Sequence, residues 1–221
     1  MDFHFIDWSI TPYSAAYEKQ TELFEQALNT KSNNQKVDNT LIFCEHPHVV
    51  TVGKNGKFSN LLYSENILKE KGVSLFHINR GGDVTYHGPG QLVVYPIFDL
   101  ESFRLGLKSY IHLLEETIIR LLAGYGIKSE RLEGASGVWL DTDNPQKARK
   151  ICAIGVKTSR YVTMHGLALN INTDLNYFRL INPCGFIDKG VTSMQIESGK
   201  EIDLNVVKKQ LLEIFKDVFS Q

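Results

Sequence analysis

Apolar residues recur at helical spacing in three places along the chain. Tyr13, Tyr17, Phe24, Ala27 and Leu28 form the first stripe, behind Thr11-Pro12, a capping residue followed by a proline suited to the first helical turn. Tyr110, Leu114, Ile118, Leu121 and Leu122 form the second, in a segment from Leu107 to Ala123 that ends at Gly124 and Gly126 and is expected to be the longest helix. Leu204, Val207, Leu211, Phe215 and Val218 form the third, from about Asp203 to Phe219. Between these stripes lie short runs of apolar and β-branched residues that read as strands: Phe3–Trp8, Thr40–Cys44, Val49–Val52, Val73–Asn79, Gln91–Phe98, Gly137–Leu140, Ile151–Val156 and Tyr161–Ile171. The second and third of these flank Glu45-His46-Pro47-His48 and predict a hairpin with a wide turn. Ser64–Lys71 reads as a short helix capped by Ser64 and stopped by Gly72, Asp174–Leu180 as another, and the polar stretch Asn29–Asn39 as a mobile surface loop. Many strands with three main helices at irregular intervals predict an α+β fold: a mixed, mostly antiparallel β-sheet with flanking helices, not a doubly wound one.

One segment belongs to neither pattern. Residues 80 to 91 place four glycines and a proline among Arg80, Thr85, Tyr86, His87 and Gln91, between two strand-like runs. Glycines let a backbone turn sharply and approach a ligand closely, and twelve residues exceed the ordinary connection of about 4 to 6. The strand-loop-strand setting differs from the strand-loop-helix context of a nucleotide-phosphate loop.

Composition narrows the partners. At 221 residues and 43% hydrophobic content the chain can bury one sizeable core, so a single domain spanning 1–221 is expected. A net charge of −1 gives no general attraction to nucleic acid or an anionic membrane. The first residues are acidic where a signal peptide is basic, and no apolar run approaches the roughly 18 residues of a membrane span, which together predict a cytoplasmic protein. Cys44, Cys152 and Cys184 show no CxxC spacing, so neither a disulfide framework nor a structural zinc is expected.

Candidate chemistry centres on a thiol. Cys44 and Cys152 lie within apolar strand runs and read as small core residues. Cys184 stands between Pro183 and Gly185, outside any apolar periodicity, where a loop can present it to a ligand. A free thiol with a pKa of about 8.5 is mostly protonated near neutrality, so a nucleophilic cysteine needs a nearby cation or base. His87, His165, Lys150 and Lys157 are the candidates. His165 sits on a strand, where a structural hydrogen-bonding role is commoner. Lys150 and Lys157 fall on opposite faces of one strand, with Cys152 and Ile154 on the Lys150 face, and spacing alone leaves the choice open.

Four ordered blocks then carry a resemblance over residues 41 to 195. Arg80-Gly81-Gly82 with Thr85-Tyr86-His87, Gln91 and Tyr95, then Lys150-Ile151-Cys152-Ala153-Ile154-Gly155, then Met164–Asn170, then Asn182-Pro183-Cys184-Gly185 with Gly190–Ser193, resemble the signature of the lipoyl(octanoyl) transferases. The resemblance implies the fold shared with biotin and lipoate protein ligases, with no metal and no nucleotide cofactor. It implies Cys184 as an acyl-thioester nucleophile and Lys150 as the residue that lowers its pKa. It implies that Arg80, Gly81, Gly82, Asp83, Val84, Thr85, Tyr86 and His87, with Ala153, Ile154, Gly155, Gly166, Leu167 and Ala168, line the acyl-substrate pocket. The implied donor is octanoyl-acyl carrier protein. The implied acceptors are lipoyl domains, those of 2-oxoacid dehydrogenase complexes and the glycine cleavage H protein. Two other readings share parts of this pattern: an ATP-dependent lipoate or biotin ligase, which has no need of Cys184, and a non-catalytic acyl- or lipoyl-domain-binding module. The stretch from 144 to 160 holds Lys147, Arg149, Lys150, Lys157 and Arg160 without an acidic residue, and offers a docking patch for an acidic carrier.

Overall fold

The computed structural model describes residues 3–56, 60–182 and 190–220. Its eleven strands are β1 (His4–Ile10), β2 (Thr40–Glu45), β3 (Val49–Val52), β4 (Ser74–His77), β5 (Val84–His87), β6 (Gln91–Ile97), β7 (Glu130–Leu132), β8 (Ala135–Leu140), β9 (Arg149–Ser159), β10 (Val162–Asn170) and β11 (Gly190–Val191). The helices are α1 (Tyr13–Ser32), α2 (Glu65–Glu70), α3 (Leu107–Gly124), α4 (Met194–Ser198) and α5 (Leu204–Phe219), with a 3-10 helix at Leu175–Leu180. A large sheet runs β1-β2-β6-β10-β9-β8-β7, with β11 added beside β9, and a small sheet runs β4-β3-β5. Three of the strand pairs, β1–β2, β3–β4 and β9–β11, are parallel and the others antiparallel. The expected mixed, mostly antiparallel α+β architecture is therefore the one observed.

Strand alternation divides the large sheet's burial between two layers. Leu41, Phe43, Leu92, Val94, Val138, Cys152, Leu167 and Leu169 face α3 and α5, whose Tyr110, Leu114, Ile118, Leu211 and Phe215 complete the main core. Ile42, Cys44, Val93, Tyr95, Met164 and Ala168 face α1 through Phe24 and Ala27. With both faces covered, β2, β6 and β10 are buried almost throughout, which is why they read as continuous apolar runs. The small sheet packs Val50, Val52, Val84 and Tyr86 against Leu68 of α2 and against Phe178 and Leu180.

Several local expectations are corrected. Thr40–Cys44 and Val49–Val52 do not form a hairpin: β2 pairs with β1 and β6, whereas β3 crosses into the small sheet between β4 and β5. Helix α1 has 20 residues against 18 in α3, so it is the longer, and it runs through Asn29–Ser32 where a loop was expected. Tertiary contacts hold that polar last turn: Lys31 pairs with Asp99 and, at 2.7 Å, with Glu101, and Arg160 reaches the Ser32 hydroxyl. Thr11 does not cap α1; its hydroxyl donates to the Trp8 carbonyl at 2.7 Å. Ser64 precedes α2 without a side-chain cap, and Gly72 ends that helix region with φ +71°. The Gly-rich run is not one loop, because Val84–His87 pairs with β3. The third helix begins as expected, with Asp203 accepting from the Asn205 and Val206 amides.

One close approach fixes the register between β10 and β6. A Cβ on Gly166 would lie 2.1 Å from the Val94 carbonyl oxygen and 2.7 Å from Pro96, whereas a Cβ on Gly124, in the last turn of α3, would meet nothing within 4 Å. Gly166→Ala should therefore cost about 1–3 kcal/mol of stability in a urea titration. Gly124→Ala should leave stability unchanged or raise it by up to about 1 kcal/mol.

Candidate functional site

Small residues on β9 and β10 hollow out the face of the large sheet. Ala153 stands opposite Ala168 and Gly155 opposite Gly166, so two alternate cross-strand pairs, on either side of the pair of Ile154 with Leu167, present almost no side chain. The Gly-rich segment is laid over this trough. The Gly81 amide donates to the Val156 carbonyl at 3.0 Å, and a Cβ on Gly155 would lie 2.9 Å from the Gly81 oxygen. Between the sheets remains a slot of about 60 Å³, walled by Ala153, Ile154, Gly155, Gly166, Leu167 and Ala168 on one side and by Arg80, Gly82, Asp83, Val84, Thr85 and His87 on the other. Beside it a wider groove of about 540 Å³ runs past Gly81, Gly82, Asp83, Leu107, Ile111 and Gly134–Ser136. Lys150 lines both.

The position of Lys150 rests on a β-bulge. Val138 pairs with Cys152 but Trp139 pairs with Lys150, so Ile151 is the extra residue and the alternation of β9 is reset there. Cross-strand partners share a face. Cys152 thus goes with Val138 into the α3–α5 core, and Lys150 goes with Trp139 to the slot side. This corrects the sequence-based grouping of Lys150 with Cys152 and Ile154. The Lys150 ammonium lies 4.5 Å from the centroid of the Trp139 ring and donates to the Ser136 carbonyl at 3.2 Å. Lys157 is turned away, over the Phe24 ring of α1 at 4.9 Å.

Other polar groups are held by specific partners. Arg80 is buried, and one terminal nitrogen donates to both the carbonyl and the hydroxyl of Thr51 at 2.9 Å while the other donates to the Gly81 carbonyl. Gln91 donates to Asn170 at 2.9 Å and to the Tyr86 carbonyl, which turns its amide oxygen to take the Nδ1–H of His87 at 2.7 Å. Burial, with the nearby His46, lowers the His87 pKa to about 3, so the imidazole is neutral with Nε2 free of a proton. His165 is also neutral, its pKa lowered to about 3 by burial and by the charges of Arg80 and Lys157. Strand alternation puts Thr85 and His87 on the slot face of β5 and sends Tyr86 to the other, where it stacks on Tyr177 at 5.2 Å and joins His48 through its hydroxyl. Tyr86 therefore lies outside the slot, and Gly81 borders the groove instead.

Of the three cysteines, Cys44 and Cys152 are fully buried, and burial pushes both thiols up, away from the thiolate. Cys184 lies outside the described residues. Its described neighbours in sequence are anchored at the site. The Asn182 amide donates to the Asn60 carbonyl at 2.8 Å, and the Asn60 side chain bonds the Asp83 carboxylate. On the other side, Gly190 and Val191 pair in register with Arg149 and Lys150.

The basic run does not form one patch. Arg149 is bound by Glu197 through two bonds of 2.7 and 2.8 Å and by Asp141, and Lys157 and Arg160 face α1. Tyr13, Val93 and Tyr95 also line the slot. Tyr13 was legible only as the start of a helical stripe, since periodicity reports burial and not what is buried against it. Among the described residues no group of three or more His, Cys, Asp or Glu is placed to hold a metal ion, and no helix is long and apolar enough to cross a membrane.

Comparisons with known proteins agree on the family. Residues 18–216 match the lipoyl protein ligase A/B catalytic domain. An octanoyltransferase of Parabacteroides distasonis is 61% identical over 218 residues, 99% of each chain, and an octanoyltransferase of Bacteroides fragilis is 60% identical over 205 residues, 93% of this chain and 92% of the relative. The fold is shared with a putative lipoate protein ligase from Thermoplasma acidophilum with bound lipoic acid (TM-score 0.71, 15% identity, 100% of this chain and 87% of that one). It is shared more distantly with a biotin protein ligase from Aquifex aeolicus in complex with biotin and ATP (TM-score 0.54, 13% identity, 98% and 70%). The chain thus belongs to the lipoyl protein ligase A/B catalytic-domain family, among its octanoyltransferases.

Proposed function

We propose that this protein carries an octanoyl group from octanoyl-acyl carrier protein to a lysine of a lipoyl domain by way of a thioester on Cys184. The identity of about 60% to octanoyltransferases over nearly the whole chain supports octanoyl transfer. The observation that carries the mechanism is the junction at Lys150, a residue that borders both the narrow slot and the open groove. A slot walled by Gly, Ala and Leu fits an unbranched alkyl chain, and the groove leaves room for the carrier's thiol arm and later for an incoming lysine.

In the first step the Cys184 thiolate attacks the thioester carbonyl. The bond to the carrier sulfur breaks, and the carrier leaves as a thiol after taking a proton. In the second step the acceptor amine attacks the enzyme thioester, an amide forms, and the Cys184 sulfur departs while the amine loses its proton. Exchange of one thioester for another is nearly balanced, so no ATP enters. Lys150 favours the thiolate as a nearby cation and passes protons between sulfur and amine. Support for pairing these two residues comes from the anchors on either side: Asn182 is tied through Asn60 to Asp83, and Val191 lies beside Lys150 in the sheet. We assign substrate contacts to Arg80, Gly82–Thr85, His87, Ala153–Gly155 and Gly166–Ala168, and treat residues 1–221 as one catalytic domain acting in the cytoplasm. The 2-oxoacid dehydrogenase lipoyl domains and the glycine cleavage H protein are the acceptors we expect.

Incubation with octanoyl-carrier followed by intact-mass measurement tests the assignment. A gain of one octanoyl group is expected in the wild type and in Cys152→Ala, and no gain in Cys184→Ala; the reverse pattern in the two variants would sink it. Replacement of Lys150 by Ala should slow acylation at least about tenfold at pH 7 and much less at pH 9, where a thiol with a pKa of about 8.5 ionises unaided. Equal losses at both pH values would argue against a role in thiol ionisation.

A further inference from the structure

Among the described residues lining the slot, His165 combines a strained backbone with a ring that the strand pattern does not account for. It lies within β10, opposite Val156, yet has φ +64°, a left-handed conformation that non-glycine residues adopt rarely and at a cost. Alternation would group it with Leu167 and Leu169, which pack into the α3–α5 core. Instead its ring stacks on Tyr17 of α1 at 6.1 Å and lines the slot. The residue is only 2% exposed, and neither ring nitrogen makes a well-formed hydrogen bond to a described residue, the Asn79 backbone being the one group near enough to engage the ring weakly. The Asn79 backbone, close enough to favour the protonated ring slightly, does not offset the effect of burial. A buried imidazole with one nitrogen only weakly engaged and its acceptor unused is unfavourable unless something in the slot completes it.

Its place along the slot tells what that is. Lys150 and Val156 are separated by about five strand steps of about 3.3 Å once the bulge takes up one residue. The imidazole opposite Val156 is therefore far from the Lys150 amine, at the other end of the trough that Ala153, Gly155, Gly166 and Ala168 keep open. With the reacting thioester at Lys150, as in the function proposed above on which this inference rests, the acyl chain points its far end at His165.

We infer that His165 is the polar floor of the acyl slot and a specificity-determining residue that reads both the length and the end group of the chain. A longer alkyl chain has to press methylenes against a ring that still lacks its hydrogen bonds, which disfavours it. A chain of the same length that ends in a hydroxyl can supply a partner to the ring, which favours it.

The test compares kcat/KM for octanoyl, dodecanoyl and 8-hydroxyoctanoyl thioesters of the carrier in the wild type, His165→Gly and His165→Asn. Glycine adopts the left-handed backbone freely and removes the ring, while asparagine tolerates that backbone and keeps a shorter polar end. In His165→Gly the dodecanoyl-to-octanoyl ratio is expected to rise about tenfold, and the 8-hydroxyoctanoyl-to-octanoyl ratio to fall about fivefold, the scale of one net hydrogen bond. In His165→Asn the first ratio rises and the second stays near the wild-type value. A merely structural role lowers all three rates together and leaves both ratios unmoved, which overturns the inference. If His165→Gly fails to fold, the dodecanoyl ratio of His165→Asn decides by itself. A wild-type protein inert toward all three thioesters overturns the transfer reading and this inference with it, whereas one active on octanoyl with unmoved ratios in the variants overturns this inference alone.

Discussion

Two backbones meet here at a distance that leaves no room for side chains, and the architecture of the site follows from that joint. The bond from the Gly81 amide to the Val156 carbonyl lays the Gly-rich segment across β9, and the approach is possible because Gly155 has no Cβ to strike the Gly81 oxygen. A second close approach lies within the small-sheet side, where a Cβ on Gly53 would be 2.5 Å from the Gly82 oxygen. Gly81 and Gly155 dock the small sheet on the large one closely enough that the space left is a slot and not a cleft. Each glycine carries an entropic cost in the unfolded chain. The main core between the large sheet and α3 and α5 supplies the rigidity against which that cost is met.

The electrostatics of the slot keep its imidazoles neutral. Arg80 is buried beside the joint with its guanidinium bonded to Thr51 and Gly81 oxygens, and its field helps to hold His87 and His165 unprotonated. Lys150 is positioned differently, at the mouth, by a bulge and by the Trp139 ring. A neutral His87 whose Nδ1–H is engaged by Gln91 offers an acceptor to the slot and no positive charge. Such a site holds the Lys150 amine at the open end and neutral imidazoles along the chain-binding wall. That division suits a reaction in which charge moves only at the mouth.

Much of the molecule was legible in advance because local rules governed it. The α3 and α5 stripes, the start of α5 near Asp203 and the long apolar strands follow from periodicity and burial, and the structure has them. The chemistry-bearing blocks were legible because their glycines, alanines and polar residues break those periodic patterns. Periodicity could not show that Thr40–Cys44 and Val49–Val52 part into different sheets, or that Asn29–Ser32 stays helical through the ion pairs of Lys31. Those outcomes depend on partners that lie far along the chain.

The sequence by itself determined the kinds of element, the family and the residues able to carry chemistry, because residue type and local spacing bear directly on backbone conformation and reactivity. Tertiary structure alone decided which of these residues share a cavity. A single bulge at Ile151 moves Lys150 from the core face to the slot, and one left-handed residue turns His165 out of its strand's alternation. A one-residue shift reverses the face of everything beyond it, and no period-two reading contains that shift.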